Sequence, residues 1–331
     1  MSETAVWFSA PRTAELRAAE TRPPGRGEIQ VRSICALISA GSEMNLYRGE
    51  GDLPSLAQFP TAEGQLPFPV KFGYQEVGEV ELAGEETEYA PGDRVFCFHP
   101  HQTRFTLNAD LVWRIPEGID SDKAAFAGLF GVALNACVTT PPLVGDCVVV
   151  FGLGVIGTFA AYLAKLTARK LVVVEPSRSR RDRSTWIGAD AVVEPSEAGV
   201  AIQELFEGRG ADLCIEASGA PAALQQAIES TGLEGTVTVA SWYGSRPVPL
   251  ALSREFHLRR QKMISTGPLV PAHLAARWDR ARMRAVSFDH LARLDVGKDL
   301  LTHRVPFRRA PEAYALLDDP REDTLAVLLQ Y

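Results

Sequence analysis

An apolar run, Cys147-Val148-Val149-Val150, leads directly into Phe151-Gly152-Leu153-Gly154-Val155-Ile156-Gly157, and a helix-like stretch follows from Thr158 to Ala168. Strand, G-x-G-x-x-G and helix in that order form a dinucleotide-binding turn. The first glycine makes the tight turn and the second lets the backbone approach a pyrophosphate. The third lets helix and strand pack closely, so that free N–H groups at the helix start face the phosphates. The next apolar run, Leu171-Val172-Val173-Val174, ends in Glu175, 23 residues after Gly152. A carboxylate at that distance accepts from the adenosine ribose hydroxyls and repels a 2′-phosphate, which favours NAD(H) over NADP(H). Arg178, Arg180, Arg181 and Arg183 stand just beyond it as the opposing signal. We expect the cofactor to meet Gly152, Gly154, Val155, Ile156, Gly157, Glu175 and Arg180, with Ser218 and Ser241 following later strands.

The alternation continues. Strands are expected at Cys147–Phe151, Lys170–Glu175, Ala191–Val193, Asp212–Ala217, Thr236–Ala240 and near Met263–Thr266. Helices between them are expected at 155–168, 177–187, 197–207 and 221–230. Continuous Val/Ile/Leu strands separated by amphipathic helices specify a parallel sheet covered on both faces. The N-terminal part reads differently. Short strands at 29–34, 76–82 and 94–98 are separated by turn signals such as Pro91-Gly92-Asp93 and Pro116-Glu117-Gly118, which describes an irregular, mainly β domain. After about Gly267 the elements are mixed, with a helix at 310–317 and a last strand at 324–329.

The chain has 331 residues, 46% of them hydrophobic and 23% charged, the composition of a water-soluble globular protein of about two domains. A net charge of −7 argues against nucleic acid as the main partner. The five cysteines are scattered and odd in number, as expected of free thiols in a reducing cytosol. Neither a signal peptide nor a membrane span is legible, so a cytoplasmic protein acting on a small molecule is expected.

By its ordered motifs the chain resembles the medium-chain dehydrogenase/reductase family along essentially its whole length. Gly73-Tyr74-Gln75-Glu76-Val77-Gly78 is similar to the family's G-H-E-x-x-G segment, and Ala90-Pro91-Gly92-Asp93-Arg94-Val95 to its F-x-x-G-D-R-V turn. Gly145-Asp146, Ile187-Gly188-Ala189-Asp190 and Glu216-Ala217-Ser218-Gly219 also match. The resemblance implies a GroES-like, mainly β catalytic domain (1–120 and 267–331) split around a Rossmann domain (121–266) with a doubly wound, parallel six-stranded sheet. It also implies an active site in the cleft between them and a homodimer formed through the Rossmann sheet edge.

The departures from the family pattern matter more. Zinc-dependent members hold the metal with a Cys, the His of G-H-E and a later Cys or Glu. Here those positions read Ala40, Tyr74 and Gly128, and the structural-zinc lobe keeps only Cys97. No zinc is therefore expected. Cys97, His99 and His101 alternate, but their spacing suits a tetrahedral site poorly. Three residues are expected to supply the chemistry. Tyr74 stands at the ligand-histidine position, and as a base it would need a nearby cation, Lys71 being the sequence candidate. Ser42 matches the hydroxyl residue that contacts the substrate oxygen, although the later relay position reads Asn45. His101 is expected to border the cleft with a pKa near ~6.5. Alternatively, Tyr74 is an aromatic that fills the emptied cavity. Trp242 and Tyr243 either wall the cofactor pocket or pack. The resemblance implies a zinc-independent oxidoreductase of secondary alcohols and ketones. Quinone or enone reduction and non-catalytic dinucleotide binding are the alternatives. The segments around Tyr74 and Ser42 are also similar to those of bacteriochlorophyllide hydroxyethyl dehydrogenase-like members, which would extend the substrate to bulky cyclic alcohols.

Overall fold

The computed structural model describes residues 3–51, 53, 56, 61–267 and 270–331. Pro54 and Pro60, in the proline-rich stretch 46–69, lie outside the described residues. The chain divides into two compact units, Met1–Gly128 with Arg284–Tyr331, and Leu129–Met283. The boundaries expected at 120 and 267 fall short of these. Residues 121–128 stay with the first unit, where Asp122 pairs with Arg304 at 2.7 Å and the Cys35 thiol reaches the Ser121 carbonyl. Gly267 stays with the second, where its carbonyl and that of Thr266 accept from the Asn135 amide at 3.2 and 2.9 Å.

The second unit carries a six-stranded sheet in the spatial order Ala191–Val193, Lys170–Val174, Cys147–Phe151, Ala211–Glu216, Thr231–Val239, Lys262–Ser265, with every pairing parallel. Parallel neighbours need crossovers, and the intervening helices Val155–Lys165, Ala198–Leu205 and Pro221–Ser230 supply them. Period-two alternation sends Val149 and Phe151 to one face, where they pack with Ile202, Leu224, Ile228 and Val237. Cys147–Phe151 is central, and the chain leaves it first toward one edge and later toward the other. Strand order therefore reverses at the carboxyl ends of Cys147–Phe151 and Ala211–Glu216, the place where such sheets bind ligands. The Lys262–Ser265 strand forms one edge.

The first unit is mainly β. Its organising strand is Glu28–Ile38. One edge pairs antiparallel with Glu76–Ala83. The other is shared: residues 28–32 pair with Arg104–Asn108, and residues 35–38 with the C-terminal strand Ala326–Gln330. This closes a small core of Ile29, Val31, Val80, Val95, Phe105 and Leu107. A separate four-stranded sheet contains the N-terminal hairpin Thr4–Ala10/Thr13–Ala18. The strand expected at 29–34 runs to Ile38 because its apolar end is paired by a segment almost 300 residues later in the chain. All 5 cysteines are free thiols.

Candidate functional site

The nucleotide half is built at the switch point of the second unit. Gly152 leaves Phe151 with φ +94°, a conformation that side chains rarely adopt, and a Cβ there would come within 2.8 Å of Ser218. Its N–H donates to the Val174 carbonyl at 2.8 Å. A Cβ on Gly157 would lie 1.9 Å from the Gly152 carbonyl oxygen, so the helix Val155–Lys165 can approach the strand only with glycine there. Around Gly154, by contrast, a Cβ would meet nothing within 4 Å. That open face lies at the helix start, where the N–H groups of Val155, Ile156 and Gly157 lack helical acceptors. The arrangement suits a pyrophosphate.

Glu175 is almost fully buried. One carboxylate oxygen accepts from the Leu153 N–H at 2.7 Å and the other from the Ser177 N–H at 2.9 Å. The carboxylate thus fixes the glycine turn while keeping lone pairs for a diol. Of the arginines beyond it, Arg181 donates to the Glu175 and Pro176 carbonyls at 2.7 and 2.8 Å, and Arg178 forms an exposed pair with Asp182 at 3.8 Å. Arg180 places its backbone N–H 3.4 Å from the Ser177 hydroxyl, which caps this short helix.

The sequence reading missed Glu216 as a site residue. It is fully buried, and one carboxylate oxygen gathers the Ser218 N–H (2.7 Å), the Ser218 hydroxyl (2.5 Å) and the Gly219 N–H (2.9 Å). The other accepts from the Tyr243 hydroxyl at 2.7 Å. Ser241 accepts from the Gly219 N–H at 2.8 Å. Ser218 and Ser241 therefore shape the turn beside Gly152. Tyr243 packs on the sheet core, and burial followed by the Glu216 charge raises its pKa. An acidic residue ending a buried strand, as Glu175 does, was the available signal.

The second group of candidates lies in the first unit. The side chains of Ser39 and Ser42 lie beside the hydroxyl of half-buried Tyr74. Burial pushes its pKa up to about 12; the two serines oppose the shift and the charge of Glu43 adds to it. Two sequence-predicted residues, Tyr74 and Ser42, are thus together, with Ser39 as an unpredicted third hydroxyl. Lys71 is not the cation at this phenol. Its ammonium pairs with Glu63 and donates to Gln102 at 2.9 Å.

His101 departs from its expected environment. It is fully buried, with Nδ1 2.7 Å from Glu76 Oε1 and Nε2 3.0 Å from Glu43 Oε1. Burial alone would lower its pKa, but the charge and hydrogen bonds of Glu43, and then those of Glu76, overcome this and push it up to about 10. The expected cleft-border imidazole titrating near neutrality is instead a buried imidazolium. Burial also raises Glu76, to about 7, against the opposing hydrogen bond and charge of His101. His99 stacks on Phe105 with centroids 3.8 Å apart, donates Nδ1–H to the Pro100 carbonyl at 2.7 Å, and is driven by burial down to about 3.

The residues at the zinc-ligand positions do not fit a metal. Ala40 offers no donor, and the Tyr74 phenol lies beside two serines with its pKa pushed up by burial to about 12, so it resists becoming the phenolate that a metal would bind. A Cβ at Gly128 would lie 2.7 Å from Gln75 Oε1 and 3.1 Å from Phe98, so a longer ligand side chain there would have to displace both. Among the described residues no group of three His, Cys, Asp or Glu side chains is placed to hold a metal ion. Cys97, His99 and His101 have separate polar partners.

A family model described as zinc-binding dehydrogenase matches residues 155–272. The chain is 28% identical over 328 aligned residues to a D-guloside 3-dehydrogenase of Escherichia coli (strain K12), covering 92% of this chain and 93% of that one. It is 27% identical over 357 to the 2-desacetyl-2-hydroxyethyl bacteriochlorophyllide A dehydrogenase of Cereibacter sphaeroides, covering 100% and 99%. Among solved structures it is similar to a 2R,3R-butanediol dehydrogenase of Bacillus subtilis, with a TM-score of 0.80, 19% identity and all of both chains covered. At that identity the likeness speaks for the fold.

The close approach at Gly157 generates a test. Gly157→Ala should push the helix off the Gly152 carbonyl and weaken NADH binding at least tenfold in a fluorescence titration. Unchanged affinity would show that the turn does not hold the dinucleotide.

Proposed function

The chain belongs to the medium-chain dehydrogenase/reductase family, in its alcohol-dehydrogenase-like branch, and on that premise we propose that this NAD(P)-dependent oxidoreductase interconverts a secondary alcohol and its ketone without zinc. The observation that carries the reading is the Tyr74 hydroxyl, with the side chains of Ser39 and Ser42 beside it, at the position where zinc-dependent members place a ligand histidine.

Bound nicotinamide supplies or takes the hydride. Gly152, Gly154 and Gly157 would hold its dinucleotide at the start of the helix Val155–Lys165, with Glu175 at the adenosine ribose. Ser218 and Ser241 keep the neighbouring turn in shape. Glu175 favours NAD(H), because a carboxylate with free lone pairs accepts a diol and repels a 2′-phosphate.

A ketone oxygen gains negative charge as hydride reaches its carbon, so it needs a donor or a cation beside it. With its pKa raised to about 12, Tyr74 carries its proton at neutral pH and is a donor. Ser39 and Ser42 orient the phenol, and its proton passes to the substrate oxygen. In the reverse direction the phenolate must accept the proton, and its population grows with pH. A cluster of neighbouring hydroxyls able to donate to an oxygen favours carbonyl reduction over C=C reduction. The relatives matched over almost their full length are named for substrates built on rings, which supports a bulky cyclic substrate. We also propose a homodimer formed through the open edge of the Lys262–Ser265 strand.

Tyr74→Phe should lower kcat for ketone reduction about 100-fold or more while leaving NADH affinity unchanged; near-normal turnover would leave the phenol a packing residue. Because the raised pKa keeps the phenol protonated, wild-type reduction should be flat from pH 6 to 9 while alcohol oxidation rises with pH. A bell centred near neutrality would point to a different acid. NADH should bind more tightly than NADPH, and the reverse preference would put the arginines ahead of Glu175. Cofactor oxidation across ketones, quinones and enones tests the reaction class, with ketones expected to be turned over best.

A further inference from the structure

One connected polar cluster of the first unit never reaches the surface. Glu43, His101, Glu76 and Tyr314 are all fully buried. Glu43 is the second residue of the helix Ser42–Arg48. Its Oε2 accepts from the Ser39 N–H at 3.1 Å, and its Oε1 accepts from His101 Nε2 at 3.0 Å and from the Tyr314 hydroxyl. On the far side of the imidazole, Glu76 Oε1 lies 2.7 Å from Nδ1 and also accepts from the Tyr331 hydroxyl at 2.8 Å. The ring faces Gly73, the residue before Tyr74. A Cβ there would lie 2.6 Å from His101 Cδ2, and φ is +121°.

These contacts enclose the phenol from two directions. The hydroxyls beside Tyr74 belong to Ser39 and Ser42, and the Glu43 carboxylate closes that turn through the Ser39 N–H. The backbone that carries Tyr74 rests on the His101 ring at Gly73 and is anchored at Glu76. Both ring nitrogens are engaged and no solvent reaches them, so His101 cannot exchange a proton with a substrate oxygen. Glu43 is near enough for its charge to raise the Tyr74 pKa. The titratable groups facing His101 are Glu43, Glu76 and His99.

We propose that Glu43 and His101 form a positioning pair for Tyr74: His101 ties the 39–43 turn to the 73–76 segment, and the carboxylate it neutralises sets the charge felt by the phenol. This rests on the reading of Tyr74 as the proton donor. A purely structural network would fix the fold without controlling the ionisation of Tyr74, and that difference is measurable.

Steady-state rates in both directions, measured against pH, test the proposal on wild type, Glu43→Gln, His101→Gln and the double variant, each checked for native circular dichroism. In Glu43→Gln the alkaline rise in alcohol oxidation should move to lower pH by about one unit, because a like charge beside the phenol is gone. In His101→Gln, with Glu43 uncompensated, it should move to higher pH. Both single variants should lose about tenfold or more in kcat for ketone reduction, with NADH affinity unchanged. Should His101→Gln not fold, the double variant, neutral at both positions, carries the test, and its rise should lie below that of wild type. Folded variants with wild-type kcat and an unmoved alkaline rise would overturn the proposal. Tyr74→Phe in the same assays separates the two readings. A severe Tyr74→Phe defect with unmoved Glu43 and His101 variants removes only the pair's role, whereas full activity in Tyr74→Phe removes the premise.

Discussion

On the proposed reading, the catalytic half depends on the imidazole of His101, buried between the acidic side chains of Glu43 and Glu76. His101 is fully enclosed, and without Glu43 and Glu76 its charge would be expelled by the cost of leaving water. Removing one partner of such a buried group typically costs about 3–5 kcal/mol, because the remaining charge has nowhere to go. Stability of this kind makes a firm support. The turn 39–43 and the segment 73–76 come from different parts of the chain, and the imidazolium joins them at hydrogen-bond distance. Tyr74, Ser39 and Ser42 belong to those two segments, so on the proposed reading their mutual geometry follows from the buried pair.

The nucleotide half uses the same device with the opposite sign. Glu175 and Glu216 end two strands of one parallel sheet, and each turns its carboxylate back onto backbone N–H groups of a tight turn. Such charge-assisted bonds are stronger than neutral ones. They fix the glycine turn and the Ser218–Gly219 turn before any ligand arrives, which lowers the ordering cost of binding. Tyr243 completes the second cluster by donating to the remaining oxygen of Glu216.

How much of this the sequence revealed follows from how local each feature is. The parallel sheet was legible because its strands are continuous apolar runs and its crossovers are helices of ordinary length. The glycine turn was legible because three glycines have fixed spacing. Tyr74 and Ser42 came from the family pattern, and the structure brings their hydroxyls together. His101 was read with the wrong surroundings because its partners are 58 and 25 residues away, and nothing local distinguishes an exposed histidine from one buried between acids. Glu216 was quoted only as part of a motif, since its partner Tyr243 lies 27 residues on. The Glu28–Ile38 strand was shortened for a related reason: its last turn of pairing is with the far C-terminal strand.

The zinc positions unify the account. Ala40 has no donor and Gly128 is crowded by Gln75 and Phe98, so on the proposed reading the hydroxyls of Tyr74, Ser39 and Ser42 do the work that a cation would do. The most direct test is turnover of a ketone with NADH by protein treated exhaustively with a chelator, with zinc measured on the same sample. The account predicts full turnover at far less than one zinc per chain. Loss of activity on chelation, restored by zinc at one ion per chain, would contradict it.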